Sequence, residues 1–203
     1  CHEEEIQLLI APASEQARAQ MLEWFPGRFL IEGDRNDYDY IYTREKLATL
    51  AGKKLHGKRN HIARFKDSGD WSYEPMTAEN VEECRTMTYT WIHMREEKWN
   101  EEMNQEISVL HEAFDHMQEL GLVGGVLRRD GQIVAFSIGE RLNSETFVVH
   151  FEKAYPDLQG AYPMINQQFV LHECEGYAYV NREEDTGDPG LRKARLSYYP
   201  DIL

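Results

Sequence analysis

Cysteine is scarce in this chain: Cys1, Cys84 and Cys174 are the whole set, and no two of them form a CxxC pair. An odd, scattered set offers neither a disulfide framework nor a thiolate metal site, and the expected location is a reducing cytoplasm. Long apolar runs are missing as well. They are short, as at residues 6–12, against the roughly 20 residues that a bilayer span requires, so neither a transmembrane segment nor a signal peptide is expected at the visible start. The first residue is Cys1 rather than Met, which reads as a trimmed start. There is no internal repeat and no low-complexity stretch. Positive charge is in deficit: 22 Lys and Arg against 36 Asp and Glu leave −14, which argues against general attraction to nucleic acid or anionic lipid.

What is present is a globular composition, 41% hydrophobic and 11% aromatic in 203 residues, enough for one domain or for one domain and part of another. The charge is unevenly spread. Residues 44–66 hold eight basic side chains (Arg44, Lys46, Lys53, Lys54, Lys58, Arg59, Arg64 and Lys66) against Glu45 alone, so +7 sits there and −21 elsewhere. Such a window is either a solvated helix face or a phosphate-facing patch.

Periodicity and turn chemistry order the elements. Helices are expected at 15–25 with Ser14 as N-cap, at 44–51 capped by Thr43 and stopped by Gly52, and from 56 towards the breakers Asp67, Ser68, Gly69 and Asp70. Strands are expected at 28–33 and 38–42. The breaker cluster is taken as a domain boundary, with residues 1–70 as one unit and 71–203 as another. Beyond it come a strand at 71–76, helices at 78–91 and 104–120, and strands at 122–128, 132–141 and 146–151, with Arg129, Asp130 and Gly131 as a tight turn. A helix at 162–172, a strand at 177–180 and a last helix opened by Asp188 and Pro189 complete the order β, α, α, β, β, β, α, β, α. This is an α/β (α+β) fold with a mixed sheet.

The stretch 147–185 carries a βαβ unit and most of the candidate chemistry. Gly160 stands where a loop becomes a helix, so backbone N–H groups there could meet a phosphate or carboxylate without a Cβ in the way. The following strand ends in Asn181, Arg182, Glu183, Glu184 and Asp185, a polar cluster at the carboxyl end of a strand, where open α/β sheets hold ligands. An ordinary βα connection has the same ingredients. The motif HEAFDH at 111–116 imitates a zinc site, but its histidines are five apart, about 140° around a helix; His56 and His61 share the defect, and no metal is expected. No nucleophilic Ser or Cys motif is found either.

The segments DYIYTREKLATLAGKKLHGKRNHIARF (39–65), HFEKAYPDLQGAYPMINQQF (150–169) and YVNREEDTGDPGLRKARLSYYP (179–200) resemble a bacterial family of largely uncharacterised proteins, similar to the C-terminal catalytic region of phosphatidylglycerol lysyltransferases. The resemblance covers nearly the whole chain. It implies two tandem GNAT-like acyltransferase domains, as in Fem-type aminoacyltransferases: residues 1–70 the tail of a first and 71–203 a complete second. It implies transfer of an acyl or aminoacyl group from a carrier, acyl-CoA or aminoacyl-tRNA, to a small amine or hydroxyl acceptor by direct attack, with no tightly bound cofactor. The rival is a non-catalytic binding module that keeps the fold and holds a small ligand or partner. GNAT enzymes that use acetyl-CoA carry an Arg/Gln-x-x-Gly-x-Gly/Ala loop; here residues 155–161 match cleanly only at Gly160 and Ala161, and Pro163 removes a donor amide.

Acyl transfer needs a proton acceptor, donors for the carbonyl oxygen and an acid for the leaving group. Glu152 is the candidate base or ammonium contact, with Glu183 and Asp185 as rivals for both jobs. Tyr198, placed on the last helix, is the candidate acid. Gln159, Gly160, Ala161 and Tyr162 are the cofactor-binding candidates; Asn181, Lys193, Lys58 and Arg59 are those for substrate, the last two within a basic window that suits tRNA. Arg192, Lys193 and Arg195 either neutralise a phosphate or balance the preceding acids.

Overall fold

The computed structural model describes residue 10, residues 14–95 and residues 101–203. Cys1 and, Ile10 apart, the run 6–12 lie outside the described residues. Helix α1 (Glu15–Trp24) begins at Ser14, whose Oγ accepts the Ala17 N–H at 3.1 Å, and buries none of its residues. The strand expected at 28–33 does not form: the segment is irregular and almost wholly exposed, and an extended run with no ladder to join has nowhere to place its backbone hydrogen bonds.

β1 (Asp39–Thr43) leads into α2 (Arg44–Thr49). That helix stops at Leu50 in the left-handed region, φ 50°, ahead of the expected Gly52. α3 (His56–Asp67) and β2 (Trp71–Pro75) follow. α4 (Val81–His93) starts later than expected because Asn80 Oδ1 accepts the Thr77 N–H at 2.8 Å, which spends residues 77–80 on a turn. α5 (Glu101–His116) is succeeded by β3 (Val123–Arg129), β4 (Gln132–Arg141), β5 (Thr146–Ala154), α6 (Ala161–Glu173), β6 (Tyr179–Glu184) and α7 (Pro189–Leu196). From β2 onward the element order is the one expected.

One mixed sheet of six strands runs β1-β6-β5-β4-β3-β2. Only β5 and β6 are parallel. Asp130 and Gly131, both at positive φ (50° and 83°), link β3 to β4 in the two-residue turn whose twist matches the strands. Neighbours such as Val126 and Leu127 point to opposite faces, so the sheet carries two cores. One face packs Leu127, Val149 and Val180 against Leu47 of α2, Phe65 of α3 and Phe169 of α6. The other packs Val126, Phe136 and Ile138 against Met87 and Trp91 of α4 and Leu110 of α5. Residues 39–67, assigned above to a first domain, place β1 beside β6 in this same sheet and contribute Tyr40 to Phe65 to the first of these cores. No helix among the described residues is long and apolar enough to cross a membrane.

Candidate functional site

β5 and β6 pair over only three positions, Thr146 with Tyr179, Phe147 with Val180 and Val148 with Asn181. Then they part. On β4, Ile138 faces Phe151 whereas the next residue, Gly139, faces Val149, so His150 is the extra residue of a bulge in β5. β6 has its own irregularity: its register with β1 shifts between Asp39 and Ile41, and Glu183 sits at φ 55°. The left-handed region costs a non-glycine residue about 1–2 kcal/mol, and strain of this kind gathers at functional openings. Both irregularities aim polar side chains into the gap between the strands.

On one side of the gap His150 lies between two carboxylates, Nδ1 at 2.7 Å from Glu183 Oε1 and Nε2 at 3.1 Å from Glu140 Oε1. Glu183, foremost, and Glu140 raise the imidazole pKa above its ordinary value despite partial burial. Asn181 fixes the surroundings: its Nδ2 donates to Asp39 Oδ2 at 2.7 Å and its Oδ1 accepts the Glu183 N–H at 2.8 Å. These residues, with Arg141 and Glu184, line a cleft of about 490 Å³. Burial, and then the nearby acids, push the Glu184 carboxyl up. Four carboxylates line the cleft beside Arg141 and His150, so the cleft suits an ammonium group.

Arg182 points to the opposite face of β6. Its Nη2 donates to Glu152 Oε1 at 2.7 Å, with 4% and 7% of the two side chains exposed. Glu152 Oε2 accepts from Asn166 Nδ2 at 3.0 Å. The Arg182 guanidinium lies 4.9 Å from the centre of the Tyr198 ring and 5.9 Å from that of Tyr42, and Lys58 Nζ stands 4.0 Å from the Tyr198 ring. Tyr42 Oη donates to the Arg195 carbonyl at 2.7 Å. Burial and then Arg182 bring the Lys58 amine down to about 8 and the Arg195 guanidinium down to about 10.

The expected site residues therefore divide. Glu183 and Asn181 meet in the acidic cleft, whereas Glu152, Lys58 and Tyr198 meet on the cationic side. Tyr198 lies just past α7, beyond Ser197, with 4% of its surface exposed. Asp185 joins neither group. Fully buried, it accepts from Arg192 Nε at 2.8 Å on both oxygens and from the Tyr40 hydroxyl, it forms an ion pair with Arg35 Nη1 at 3.0 Å, and Arg192, first among these partners, holds its carboxyl down at about 2. Gly160 adopts φ 87° at the N-cap of α6, and a Cβ there would strike the carbonyl of His61 in α3. Its missing side chain admits α3 against α6. Gln159 is exposed, Ala161 is buried in the core, and the Tyr162 hydroxyl accepts from Trp91 Nε1 at 3.1 Å. Arg59 donates to the carbonyls of Leu50 and Gly52 and so fastens the α2–α3 turn, while Lys193 is exposed. Six of the eight basic residues at 44–66 have partners among the described residues. In the HEAFDH motif, His111 accepts from Arg85 and His116 meets Glu119. Among the described residues no group of three or more His, Cys, Asp and Glu is placed to hold a metal ion.

Sequence reasoning missed His150, Glu140 and Asp39 on the acidic side and Tyr42 on the cationic one; it placed Arg182 in the polar strand end but gave it no role. One signal was available for His150, a single imidazole inside the apolar run FVVHF. The bulge that turns it into the gap depends on β4, distant in sequence, and leaves no local mark.

The chain is 44% identical to a conserved protein of unknown function from Bacteroides thetaiotaomicron, with a TM-score of 0.89 over 93% of this chain and 64% of that one. L-PGS from Bacillus licheniformis shares the fold at 16% identity, with a TM-score of 0.55 over 80% of this chain and 56% of that one. An uncharacterised protein of Mycoplasmoides gallisepticum is 24% identical over 188 residues, 90% of this chain and 59% of that protein. The chain thus spans less than two-thirds of the length of each of these relatives. The family model described as "Phosphatidylglycerol lysyltransferase, C-terminal" matches residues 1–203, and the chain belongs to that family.

Proposed function

We propose that this chain transfers an aminoacyl group from a carrier ester to the hydroxyl or amine of a small acceptor, at the opening between β5 and β6. The acidic cleft around His150 carries the reading, since an aminoacyl group brings an ammonium that four carboxylates would hold. Family membership supports a transferase. An aminoacyl-tRNA fits as donor better than acyl-CoA, because the helix start that would cradle a pyrophosphate is taken up by the His61 carbonyl. In the step proposed, the acceptor oxygen or nitrogen attacks the ester carbonyl carbon, a new ester or amide bond forms, and the bond to the carrier oxygen breaks. The acceptor's proton passes to His150 once that imidazole has lost one, with Glu183 holding the ring in place. His150 then returns that proton to the carrier oxygen as it leaves, which restores the imidazole to its starting state.

The test is a single-turnover assay with lysyl-tRNA carrying radiolabelled lysine and phosphatidylglycerol vesicles as acceptor. Label should move to lipid above the protein-free background, and Glu183→Gln and His150→Gln should each slow it by about 100-fold. Wild-type rates in both variants would remove the catalytic assignment. Ammonium binding in the cleft without turnover would establish the rival, a binding module.

A further inference from the structure

Across the strand opening from the acidic cleft lies a cluster whose charges do not balance. Arg182, Arg195 and Lys58 bring three cations, and Glu152 is the carboxylate among them. Arg182 is 3% exposed, and Glu152 takes one of its three nitrogens. Its Nε and Nη1 are buried with no hydrogen-bond partner among the described residues, as is Nε of Arg195. Two more such atoms adjoin Glu152: Oδ1 of Asn166, whose amide nitrogen holds that carboxylate, and Oγ of Ser137, opposite Glu152 in the register of β4 and β5. A buried guanidinium with two idle N–H edges forfeits hydration without replacement. Tyr42 and Tyr198 offer ring faces to Arg182, and the Tyr42 hydroxyl is already spent on the Arg195 carbonyl. Lys58 and Arg195 are only partly buried, so the cluster borders solvent on their side.

We propose that Arg182, Arg195 and Lys58 form a binding site for a phosphate group, on the face of the sheet opposite the acidic cleft. Three cations less Glu152 leave +2, which a phosphate monoester dianion neutralises. Two guanidinium groups with free N–H edges match its oxygens, and Lys58 supplies a point charge. A substrate would then span the opening, amine on one face and phosphate on the other. The site deepens the transfer reading by naming a group that a substrate carries, yet it uses residues outside the acidic cleft and is read without turnover.

Calorimetric titration with inorganic phosphate, at ionic strength held constant with sodium chloride, should give saturable binding and a matching rise in Tm. Lys58→Met and Arg195→Met should each weaken that binding at least tenfold. Both variants should also melt higher than wild type in phosphate-free buffer, since each removes a cation lacking a counter-charge; a merely structural role predicts the reverse. Lys58 is the less buried of the two, so its variant keeps the test open if Arg195→Met does not fold. Glycerol phosphate stands for a lipid headgroup and adenosine 5′-monophosphate for a nucleotide carrier, and the tightest of the three phosphates names the source. Absent binding, equal binding by both variants, or acetate binding as well as phosphate would overturn the proposal. Phosphate binding kept in Glu183→Gln while transfer is lost would separate this site from the cleft.

Discussion

Glu183 joins strain and chemistry in one residue. Its left-handed φ of 55° lets its carboxylate reach Nδ1 of His150 from inside a strand. Replacement by glycine removes a backbone cost of about 1–2 kcal/mol and a partly exposed ion pair worth up to about 1 kcal/mol. Glu183→Gly should therefore unfold in urea within about 1 kcal/mol of wild type while transfer falls about 100-fold. A stability loss well above 2 kcal/mol would show that the conformation carries no strain. His150 predicts a pH dependence. Its pKa is raised in the folded protein, first by Glu183, so the stabilisation it gives is full below its unfolded value of about 6.5 and fades as pH rises through the folded value. Wild type should lose Tm relative to His150→Gln over that interval. Transfer should rise over the same interval as the ring becomes able to accept a proton, and Glu183→Gln should shift the rise to lower pH. A flat rate profile between pH 6 and 9 would exclude His150 as the proton acceptor.

Elements were largely legible from periodicity and turn residues, because a helix or strand that buries one face writes its period into the chain. α1, α3 and α6 and the β3–β4–β5 meander lie close to their expected bounds. Errors arose where distant contacts decide. Residues 28–33 carry a short apolar run, Phe29 to Ile31, that reads as a strand but has no ladder to join, and α2 ends at Leu50 because that residue accepts a left-handed conformation. The site was half legible: Glu183 and Asn181 were marked by their strand end, whereas Glu152 took its ion pair from Arg182, a neighbour of Glu183 that faces the other way. Gly160 shows how one residue type serves two physical ends. A glycine at a helix start is available to an anion, and it is equally available to a second helix. Gly160→Ala should cost more than about 1 kcal/mol, since φ 87° disfavours alanine and the new methyl meets the His61 carbonyl. Urea unfolding measures it, and an unchanged midpoint would mean that α3 yields freely.

At the scale of the whole molecule, the decisive feature is that one sheet and one core run across residue 70. Tyr40 and Tyr42 from β1, Leu47 and Leu50 around α2, and Leu55, Ile62 and Phe65 along α3 are all buried against strands and helices that come after residue 126. Burying a side chain such as Leu, Ile or Phe contributes about 1.5–3 kcal/mol, so the three leucines, Ile62 and Phe65 together supply roughly 8–15 kcal/mol. That is comparable with the whole net stability of a typical domain, about 5–15 kcal/mol. Loss of β1 would also bare the edge of β6, with Arg182 and Glu183 upon it, to solvent and to other chains. A chain beginning at residue 69 should therefore show no cooperative thermal transition and should aggregate, even though it keeps the full β, α, α, β, β, β, α, β, α order. A sharp transition near the wild-type Tm would establish residues 71–203 as an independent domain. It would also mean that Tyr42 and Lys58, which close the cationic side of the opening, belong to a unit that only docks there.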